Sequence, residues 1–274
     1  MDAPSERRPA CYTARMRGFV DLHCHWVANV DDGARSPEDG VAMLRGLYEA
    51  GFTKVVATPH MRPGMFDNDR SALLRAYSLM LPHLQDASER GVRLPEVHLS
   101  SEHFFDDVVW ARLLRGEGVP YPALGDGSTE GAPSPPGLPR LRVALVEFSP
   151  QAFPLKVAER LVDLKRAGLR VVLAHPERYR PVWTDDACLD PLIDAGARLL
   201  LDIRALVGRY GRSAQSAAEK LLEEDAYDAA CSDAHRVEDV AEVERAILRL
   251  ETRVGPKETL RLLSEGPSAI LAGG

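Results

Sequence analysis

The chain contains 274 residues, of which 45% are hydrophobic and 27% are charged, and its formal net charge is −7 at pH 7. These values suit a globular protein with one large α/β domain or two small ones. The acidic balance argues against general nucleic-acid binding, which requires a basic face, but it is compatible with a small basic pocket for one phosphate.

Cysteine spacing and the length of the apolar runs exclude two further classes of protein. The four cysteines form no CxxC pair, so neither a disulfide framework nor a thiolate zinc site is indicated. No apolar run is long enough to span a bilayer. Reduced thiols are the default in the cytoplasm, where we expect the protein to reside.

The N-terminal stretch differs from the rest of the chain. Residues 1–17 are polar and lack the apolar core of a signal peptide, which predicts a disordered leader, with Met16 as an alternative start of translation. No internal repeat or linker divides the remainder, so we expect residues 18–274 to form a single domain.

Short apolar runs rich in Val, Leu and Ile recur along the chain, as is typical of strands buried on both faces. The predicted strands are Phe19–Leu22, Lys54–Ala57, Val97–Ser100, Val143–Val146, Val171–Ala174, Leu199–Ile203 and Ala229–Cys231. Amphipathic stretches separate them. This alternation predicts a parallel, barrel-like α/β fold, with a doubly wound open sheet as the competing architecture.

Helix signals lie between the strands. Ser36 is expected to cap the first helix, with Pro37 at its first position and Gly51 closing it. The other predicted helices span Ser71–Arg90, Pro154–Gly168 and Val237–Leu250. Pro82 is expected to bend or break the helix that contains it. The segment Gly116–Pro139 is dense in Gly, Pro and Ser and predicts a polar surface loop.

Ionisable side chains follow the predicted strands directly. They are His23, His25, His60, Glu102, Glu147, His175, Asp233 and His235. Because the C-terminal ends of parallel strands share one rim, these residues are expected to converge there. The alternative is that each histidine is an ordinary hydrogen-bonded loop residue. His83 and His98 lie elsewhere and predict surface or packing roles, and His103 is expected to point away from Glu102.

The spacing within two of these pairs suits metal binding. In an extended chain, residues i and i+2 point to the same side, so His23 and His25 can reach one ion, as can Asp233 and His235. Imidazoles mixed with carboxylates suit Mn²⁺, Zn²⁺ or Fe. The number of candidates predicts two or three ions with a bridging carboxylate, an arrangement that activates water and clamps a phosphoryl group.

At these residues the sequence resembles the polymerase-and-histidinol-phosphatase metalloenzymes, and within them the manganese-dependent bacterial protein-tyrosine phosphatases of capsule and exopolysaccharide loci. The segments that carry the resemblance are Asp21–His25, Val30–Ala34, Thr58–His60, Gly64–Phe66, Ser101–Glu102, Val146–Ser149, Ala174–Tyr179 and Ser232–His235. The resemblance implies a distorted seven-stranded (β/α) barrel. It further implies Mn²⁺ as the metal, with Fe or Zn as alternatives, and a tyrosine-phosphorylated kinase as the partner.

The resemblance also implies a ligand set. One ion is held by His23, His25, Glu102 and Asp233, a second by Glu102, Glu147 and His175, and a third by Asp32, His60 and His235. Homo-oligomers are expected because members of this branch can form rings. The sequence departs from the family pattern where Leu201–Arg204 carries charges in a stretch that is usually uncharged.

Two arginines are predicted to act on the phosphoryl group. The planar guanidinium of Arg178 can donate two hydrogen bonds to the phosphoryl oxygens. The alternative role for Arg178 is a surface salt bridge with Glu177. The family usually carries another arginine near the position of Val240, and Arg236 is the candidate to replace it. Both are predicted to be catalytic.

The loop from Met61 to Phe66 is predicted to contact the substrate. Arg62 suits an acidic peptide, and Met65 and Phe66 suit a phenyl ring, with an ordinary packed loop as the alternative. Cys11 and Arg17 match the bare Cys-x5-Arg pattern of cysteine phosphatases. No strand precedes them and no glycine separates them, so we interpret the match as chance.

Three function classes follow from this reading. The first is a protein-tyrosine phosphatase. The second is a small-molecule phosphatase of the histidinol-phosphate type, or a nuclease of the same superfamily. The third is a regulatory module with a degenerate site, which the full set of metal ligands disfavours.

Overall fold

The computed structural model describes residues 17–123 and 142–273 of the chain. The strands are β1 (Phe19–Cys24), β2 (Phe52–Ala57), β3 (His60–Met61), β4 (Glu96–Leu99), β5 (Glu102–Phe104), β6 (Arg142–Glu147), β7 (Leu169–Ala174), β8 (Arg198–Asp202) and β9 (Ala229–Cys231). Their pairings are parallel throughout the described residues. One sheet has the order β1-β2-β4 and the other has the order β3-β5-β6-β7-β8-β9. The predicted parallel α/β architecture is therefore confirmed.

Short connections in the chain join the two sheets at two places. Only Thr58 and Pro59 separate β2 from β3, and two serines separate β4 from β5. At the other side, Cys24 of β1 forms a parallel bridge with Ala234, which follows β9. The short strands β3 and β5 were not predicted, because a two- or three-residue strand leaves no hydrophobic pattern in the sequence.

Helices separate most of the strands. They are α1 (Pro37–Ala50), α2 (Arg70–Glu89), α3 (Asp107–Leu114), α4 (Val157–Arg166), α5 (Arg180–Thr184), α6 (Asp190–Asp194), α7 (Arg212–Glu223), α8 (Asp239–Leu260) and α9 (Gly266–Leu271). None of them, within the part of the chain that the structure describes, is both long and apolar enough to cross a membrane.

The ends of α1 follow the predicted signals. The Ser36 hydroxyl accepts the N–H of Asp39 at 3.2 Å, and Gly51 ends the helix with a φ of +113°. Helix α2 continues through Pro82, so of the two expected effects of that proline a break is excluded. Two other helix predictions need correction. Helix α4 begins at Val157 rather than at Pro154 because Lys156 adopts a left-handed conformation with a φ of +54°. Helix α8 extends to Leu260, past a break at Gly255.

Two apolar cores stabilise the fold. The larger lies between the helices and the outer faces of the strands. The smaller collects alternate residues from the opposite faces, such as Leu145 of β6 and Val172 of β7, and α9 adds Ile270. Burying each side chain of this size contributes about 1.5–3 kcal/mol, so the inner core fixes the strand ends that it supports.

The prediction for the loop Gly116–Pro139 and the prediction for the end of the N-terminal leader both need correction. Val119 and Tyr121 fall within the predicted surface loop, yet both are buried. The Tyr121 hydroxyl donates to the Leu22 carbonyl at 2.9 Å, so this part of the segment packs on the inner core. The remainder, from 124 to 139, lies outside the described residues. Arg17 was predicted to end a disordered leader, but it pairs with Glu251 at 3.2 Å.

Candidate metal centre

The predicted metal ligands lie together at the C-terminal ends of the strands. Parallel pairing of β3 with β5 sets His60 beside Glu102, and pairing of β5 with β6 sets Phe104 beside Glu147. His175 follows β7 directly. The structure thus brings every predicted ligand into one cluster, in groups whose donor atoms lie within 4.8 Å of one another.

Four donor atoms lie close together at the end of β1. His23 Nε2 lies 3.1 Å from His25 Nε2, 3.2 Å from Glu102 Oε2 and 3.2 Å from Asp233 Oδ1. His25 Nε2 lies 3.6 Å and 3.5 Å from the same two oxygens. Four ligands at about 2.1 Å from an ion in a tetrahedron lie about 3.4 Å apart. The spacing of His23, His25 and Asp233 therefore suits a common ion, and Glu102 Oε2 lies within 3.6 Å of both imidazoles.

Glu102 links this group to its neighbours. Its Oε1 lies 2.9 Å from His175 Nε2, and its Oε2 lies 3.0 Å from His60 Nδ1. His60 Nδ1 is in turn 3.4 Å from Glu147 Oε1. Glu102 thus occupies the central place that a bridging carboxylate needs.

A more open group lies at the mouth of the cluster. Asp32 Oδ1 is 3.4 Å from His60 Nε2 and 3.7 Å from His235 Nε2. The His25 and His235 rings stack with centroids 3.9 Å apart, so His25 also borders this group. The Asp32 side chain is 54% exposed, which makes this the part of the cluster most accessible to a substrate.

The grouping differs in detail from the ligand set that the resemblance implied. Glu147 groups with His60 and Glu102, whereas His175 groups with His23 and Glu102. The implied second set places Glu147 and His175 on the same ion. Glu102 is common to both observed groups, so it remains the shared carboxylate in either arrangement.

Several buried polar atoms in the cluster fit coordination to a cation. Asp233 Oδ1, Glu147 Oε1 and His60 Nδ1 are buried, and the imidazole and carboxylate atoms close to them in the described residues are not placed to form hydrogen bonds with them. Leaving such an atom unpaired costs about 1–3 kcal/mol, and more for a charged group. Cations bound at the two groups to which these atoms belong would satisfy all three, so the residues present fit the metals that the donor set suggests.

Arg178 reaches the edge of the cluster. Its Nη1 donates to Asp233 Oδ2 at 2.8 Å, and its guanidinium lies 4.4 Å from the Tyr210 ring centroid. The alternative of a surface salt bridge with Glu177 is wrong. Glu177 is buried, where it accepts the N–H of Asp202 and the hydroxyl of Tyr227.

A cavity of about 250 Å³ opens beside Arg178 and the cluster. The residues that line it are Asp32, Arg178, Arg204, Arg209, Tyr210, Asp233, His235, Arg236 and Asp239. Arg236 donates to the Asp32 carbonyl at 3.2 Å and therefore lies at the cavity rim. A metal cluster next to an arginine-lined cavity is the chemistry that a phosphate ester requires.

Comparison with known proteins agrees with this chemistry. Residues 19–119 and 136–272 match the family model described as capsular polysaccharide synthesis, CpsB/CapC. The chain belongs to this family. It is 26% identical to the tyrosine-protein phosphatase YwqE of Bacillus subtilis, over 80% of this chain and 78% of the relative. It is 23% identical to the tyrosine-protein phosphatase CpsB of Streptococcus pneumoniae, over 92% of this chain and 98% of the relative.

Solved structures give the same picture. This chain matches a chain from the crystal structures of YwqE from Bacillus subtilis and CpsB from Streptococcus pneumoniae, at a TM-score of 0.75 and 25% identity. Those two proteins are described as metal-dependent tyrosine phosphatases. That match covers 93% of this chain and 94% of the other. The phosphotriesterase homology protein of Escherichia coli matches at a TM-score of 0.55 and 15% identity, a likeness of fold.

In this CpsB/CapC family member, the loop predicted to contact substrate closes on itself at the rim. Arg62 and Phe66 form an antiparallel bridge, and the Phe66 ring stacks on His60 at 5.2 Å. Arg62 lies 4.1 Å from the Phe104 ring centroid and 3.9 Å from Glu147. Met65 is 60% exposed. Arg62 and Phe66 therefore lie at the edge of the cluster, next to Glu147 and His60.

Two aspartates that sequence reasoning gave no role support the ligands. Asp31 Oδ2 lies 2.8 Å from His25 Nδ1 and accepts the N–H of His60 at 3.0 Å. Burial disfavours the charged imidazole, but Asp31 outweighs it and raises the pKa of His25 to about 10. Asp21 accepts the N–H groups of His23 and Ser232 and so joins two ligand segments. Burial raises the pKa of Asp21 to about 6.

The remaining histidines and Cys24 are not metal ligands in this geometry. His103 Nε2 accepts the N–H of Val119, and burial lowers the pKa of His103 to about 4. His98 pairs with Glu96 at 2.7 Å. The Cys24 thiol points to the Ala234 carbonyl. Cys11, the thiol of the rival phosphatase pattern, lies outside the described residues.

Proposed function

We propose that this chain is a metal-dependent phosphatase that hydrolyses phosphotyrosine on proteins, and that its substrate is a bacterial tyrosine kinase that controls capsule or exopolysaccharide synthesis. The observation that carries the proposal is a buried cluster of imidazoles and carboxylates beside Arg178, in a member of the CpsB/CapC family. Relatives in that family are named tyrosine-protein phosphatases.

Two or three ions, Mn²⁺ by preference and Fe or Zn as alternatives, are assigned to the cluster. The spacing around His23 supports one ion, and the shared position of Glu102 supports a second next to it. Asp32, His60 and His235 are assigned to the open position at the mouth. When bound, such ions polarise the phosphoryl group and activate a water near neutral pH.

The chain's own residues orient the phosphoryl group. Arg178 lies on the cavity side of Asp233 and presents a planar pair of donors to phosphoryl oxygens, while Arg236 adds positive charge at the rim. The leaving phenolate has a pKa of about 10 as free tyrosine, so it departs with less help from an acid than an alkoxide needs. Arg62, Met65 and Phe66 are assigned to the aromatic ring and its flanking residues.

Four broader features belong to the same proposal. The strands form a distorted seven-stranded (β/α) barrel in which β2 with β3, and β4 with β5, each occupy one position. The bridge from Cys24 to Ala234 and the inner apolar core support this reading. Residues 18–274 act as one domain, the protein works in the cytoplasm, and it can assemble as a homo-oligomer.

Loss of one ligand tests the metal chemistry. His25→Ala is expected to reduce hydrolysis of p-nitrophenyl phosphate and of a phosphotyrosine peptide by more than about 100-fold, beyond the cost of losing a residue that only supports a ligand. His83→Ala, an exchange at an exposed histidine of α2, is the matched control and should retain activity. Turnover by a folded His25→Ala protein at the wild-type rate would remove the assignment.

A substrate panel tests the substrate class. The wild-type protein with Mn²⁺ should turn over a phosphotyrosine peptide faster than histidinol phosphate or single-stranded DNA, since the rim offers an aromatic ring and an arginine at the mouth. Preference for histidinol phosphate or DNA would assign the small-molecule or nuclease activity instead. Absence of metal and of turnover in the purified protein would indicate a regulatory module.

A further inference from the structure

Arg204 is a charged side chain buried next to the metal centre. It lies in the 3-10 turn Ile203–Val207 that follows β8, and only 2% of it is exposed. Its Nη2 donates to the Tyr210 hydroxyl at 2.7 Å and to the backbone carbonyl of Asp233. Burying a guanidinium costs several kcal/mol unless it is paired, so these contacts must be maintained for the turn to be stable.

The two carboxylate oxygens of Asp233 have different partners. Oδ1 faces the imidazoles of the cluster, with His23 Nε2 at 3.2 Å. Oδ2 faces two arginines, with Arg178 Nη1 at 2.8 Å and Arg204 Nη2 at 3.4 Å. The contacts of Oδ2 with the two arginines therefore set the direction in which Oδ1 faces the proposed metal site.

Arg204 also supports the turn that carries His235. Its Nη1 lies 3.1 Å from Asp239 Oδ2. That oxygen accepts the backbone N–H groups of His235 and Arg236 at 2.9 Å and 3.0 Å. Asp233 itself has a φ of +46°, a conformation that a residue with a side chain keeps only when its surroundings impose it. One buried guanidinium thus contacts both ends of the segment from Asp233 to Asp239.

The two arginines on Asp233 differ in their freedom to move. The Arg178 side chain is 28% exposed and lines the cavity, whereas Arg204 is enclosed and makes contacts with Asp202, Asp239 and Tyr210 as well. If Arg178 turns to a phosphoryl group, it leaves Asp233. Arg204 and the Tyr210 hydroxyl, 3.5 Å from Oδ2, still hold that carboxylate.

We propose that Arg204 is a positioning residue that keeps Asp233 and the turn to His235 in metal-binding geometry, which leaves Arg178 free to bind the substrate. The inference rests on the proposed metal centre and adds to it a division of labour between the two arginines. Residues that orient metal ligands typically contribute 10–100-fold to metal affinity. Arg204 therefore acts on metal affinity, and Arg178 acts on substrate.

Metal titration of two arginine variants tests this division without relying on turnover. The Kd for Mn²⁺ is measured by calorimetry, and free Mn²⁺ by electron paramagnetic resonance, on chelator-treated protein whose fold is checked by circular dichroism. Arg204→Met should raise the Kd by 10–100-fold, and Arg178→Met should change it by less than about threefold. Excess Mn²⁺ should restore turnover to Arg204→Met but not to Arg178→Met, and Arg204→Lys should recover part of the affinity.

Arg198→Met is the matched control. Arg198 also pairs with an aspartate, Asp228 at 2.6 Å, but contacts no residue of the cluster. Its Kd for Mn²⁺ should equal that of the wild type. If Arg204→Met does not fold, Tyr210→Phe carries the test, since it removes a hydroxyl that contacts both Arg204 and Asp233, and its Kd should rise about 10-fold, the lower end of the range for such partners.

The outcomes separate the two proposals. A wild-type Kd in folded Arg204→Met overturns the positioning role, as does a wild-type Kd in Tyr210→Phe where Arg204→Met is unfolded. An equal rise in Kd for Arg178→Met and Arg204→Met overturns the division of labour. Failure of the wild-type protein to bind Mn²⁺ overturns the proposed metal centre, and this inference with it.

Discussion

Glu177 and Arg178 are neighbours in the sequence but lie in opposite surroundings. Arg178 reaches the cavity, whereas Glu177 is buried against Tyr227 and the backbone N–H of Asp202. Burial and the nearby Asp202 carboxylate raise the pKa of Glu177 from an ordinary 4.5 to about 8. Glu177 is therefore protonated in the folded protein at neutral pH, while it is ionised in the unfolded chain.

This difference predicts a pH dependence of stability. Folding raises the pKa of Glu177, so Glu177 contributes its full stabilisation at pH values below 4.5, its pKa in the unfolded chain. That stabilisation is lost as the pH rises through 4.5 toward 8. The loss amounts to at most about 1.4 kcal/mol per pH unit. Glu177→Gln does not titrate, so its free energy of unfolding should fall less steeply than that of the wild type between these values.

Urea unfolding of both proteins at pH 5, 6.5 and 8, with the same excess of Mn²⁺, measures the two slopes. Glu177→Gln keeps an acceptor for the N–H of Asp202, so the fold should be retained. Equal slopes would show that Glu177 is ionised in the folded protein. Glu117→Gln, at an exposed glutamate, is the control and should match the wild type.

At the scale of elements, the loop between β1 and α1 shows how a short motif fixes a ligand. Gly33 donates its N–H to Asp31 Oδ1 at 2.9 Å, and Asp31 orients the His25 ring. A Cβ on residue 33 would lie 2.1 Å from the His25 carbonyl oxygen, a backbone atom that cannot move aside. The glycine is required because the loop folds back onto the strand end that carries the ligands.

Gly33→Ala is therefore expected to displace this loop. Overpacking of this kind costs about 1–3 kcal/mol of stability, and the displaced loop should weaken Mn²⁺ binding by about tenfold or more. Thermal unfolding and Mn²⁺ titration measure the two effects. Gly91→Ala is the control, since its φ of +83° is strained but no neighbour lies within 4 Å. It should lose stability and keep its Mn²⁺ affinity; wild-type affinity in Gly33→Ala would contradict the argument.

The strand predictions show where periodicity stops being informative. Each predicted apolar run overlaps an observed strand, because buried parallel strands need continuous apolar residues. At Pro59 the chain passes from β2 of one sheet to β3 of the other, and at Ser101 it passes from β4 to β5. The Ser101 hydroxyl donates to the Pro59 carbonyl at 2.8 Å. The short strands that result align His60 with Glu102, and no apolar pattern in the sequence marks them.

For the whole molecule, the metal cluster is expected to contribute to stability. Its ligands come from segments far apart in the chain, so bound ions cross-link the strand ends. At a metal concentration 100 times the Kd, binding contributes about 2.7 kcal/mol, or roughly 5–10 °C in Tm for a chain of this size. Chelation should lower the Tm by that amount and abolish turnover, and Mn²⁺ should restore both.

Thermal scans with a chelator, with Mn²⁺ and with chelator followed by Mn²⁺ measure the effect. His25→Ala is the matched control and should show a much smaller shift, because it lacks one ligand of the best-formed group. An identical Tm for the wild-type protein with and without metal would show that the ions do not cross-link the fold.

The parallel α/β architecture and the convergence of the ionisable residues that follow the strands could be predicted from the sequence alone. Both depend on local information: apolar runs mark the strands, and the residues that follow them must share one rim. The family prediction is confirmed by the match over residues 19–119 and 136–272.

Only the tertiary structure decided which residues support the ligands. Asp31 bonds to the backbone of His60, Tyr227 donates to Glu177, and Arg204 contacts the segment from Asp233 to Asp239. These partners lie on different strands and turns, so no spacing in the sequence relates them. Burial, which sets the pKa of Glu177 and makes Arg204 depend on its partners, is a property of the packed interior that the order of residues does not display.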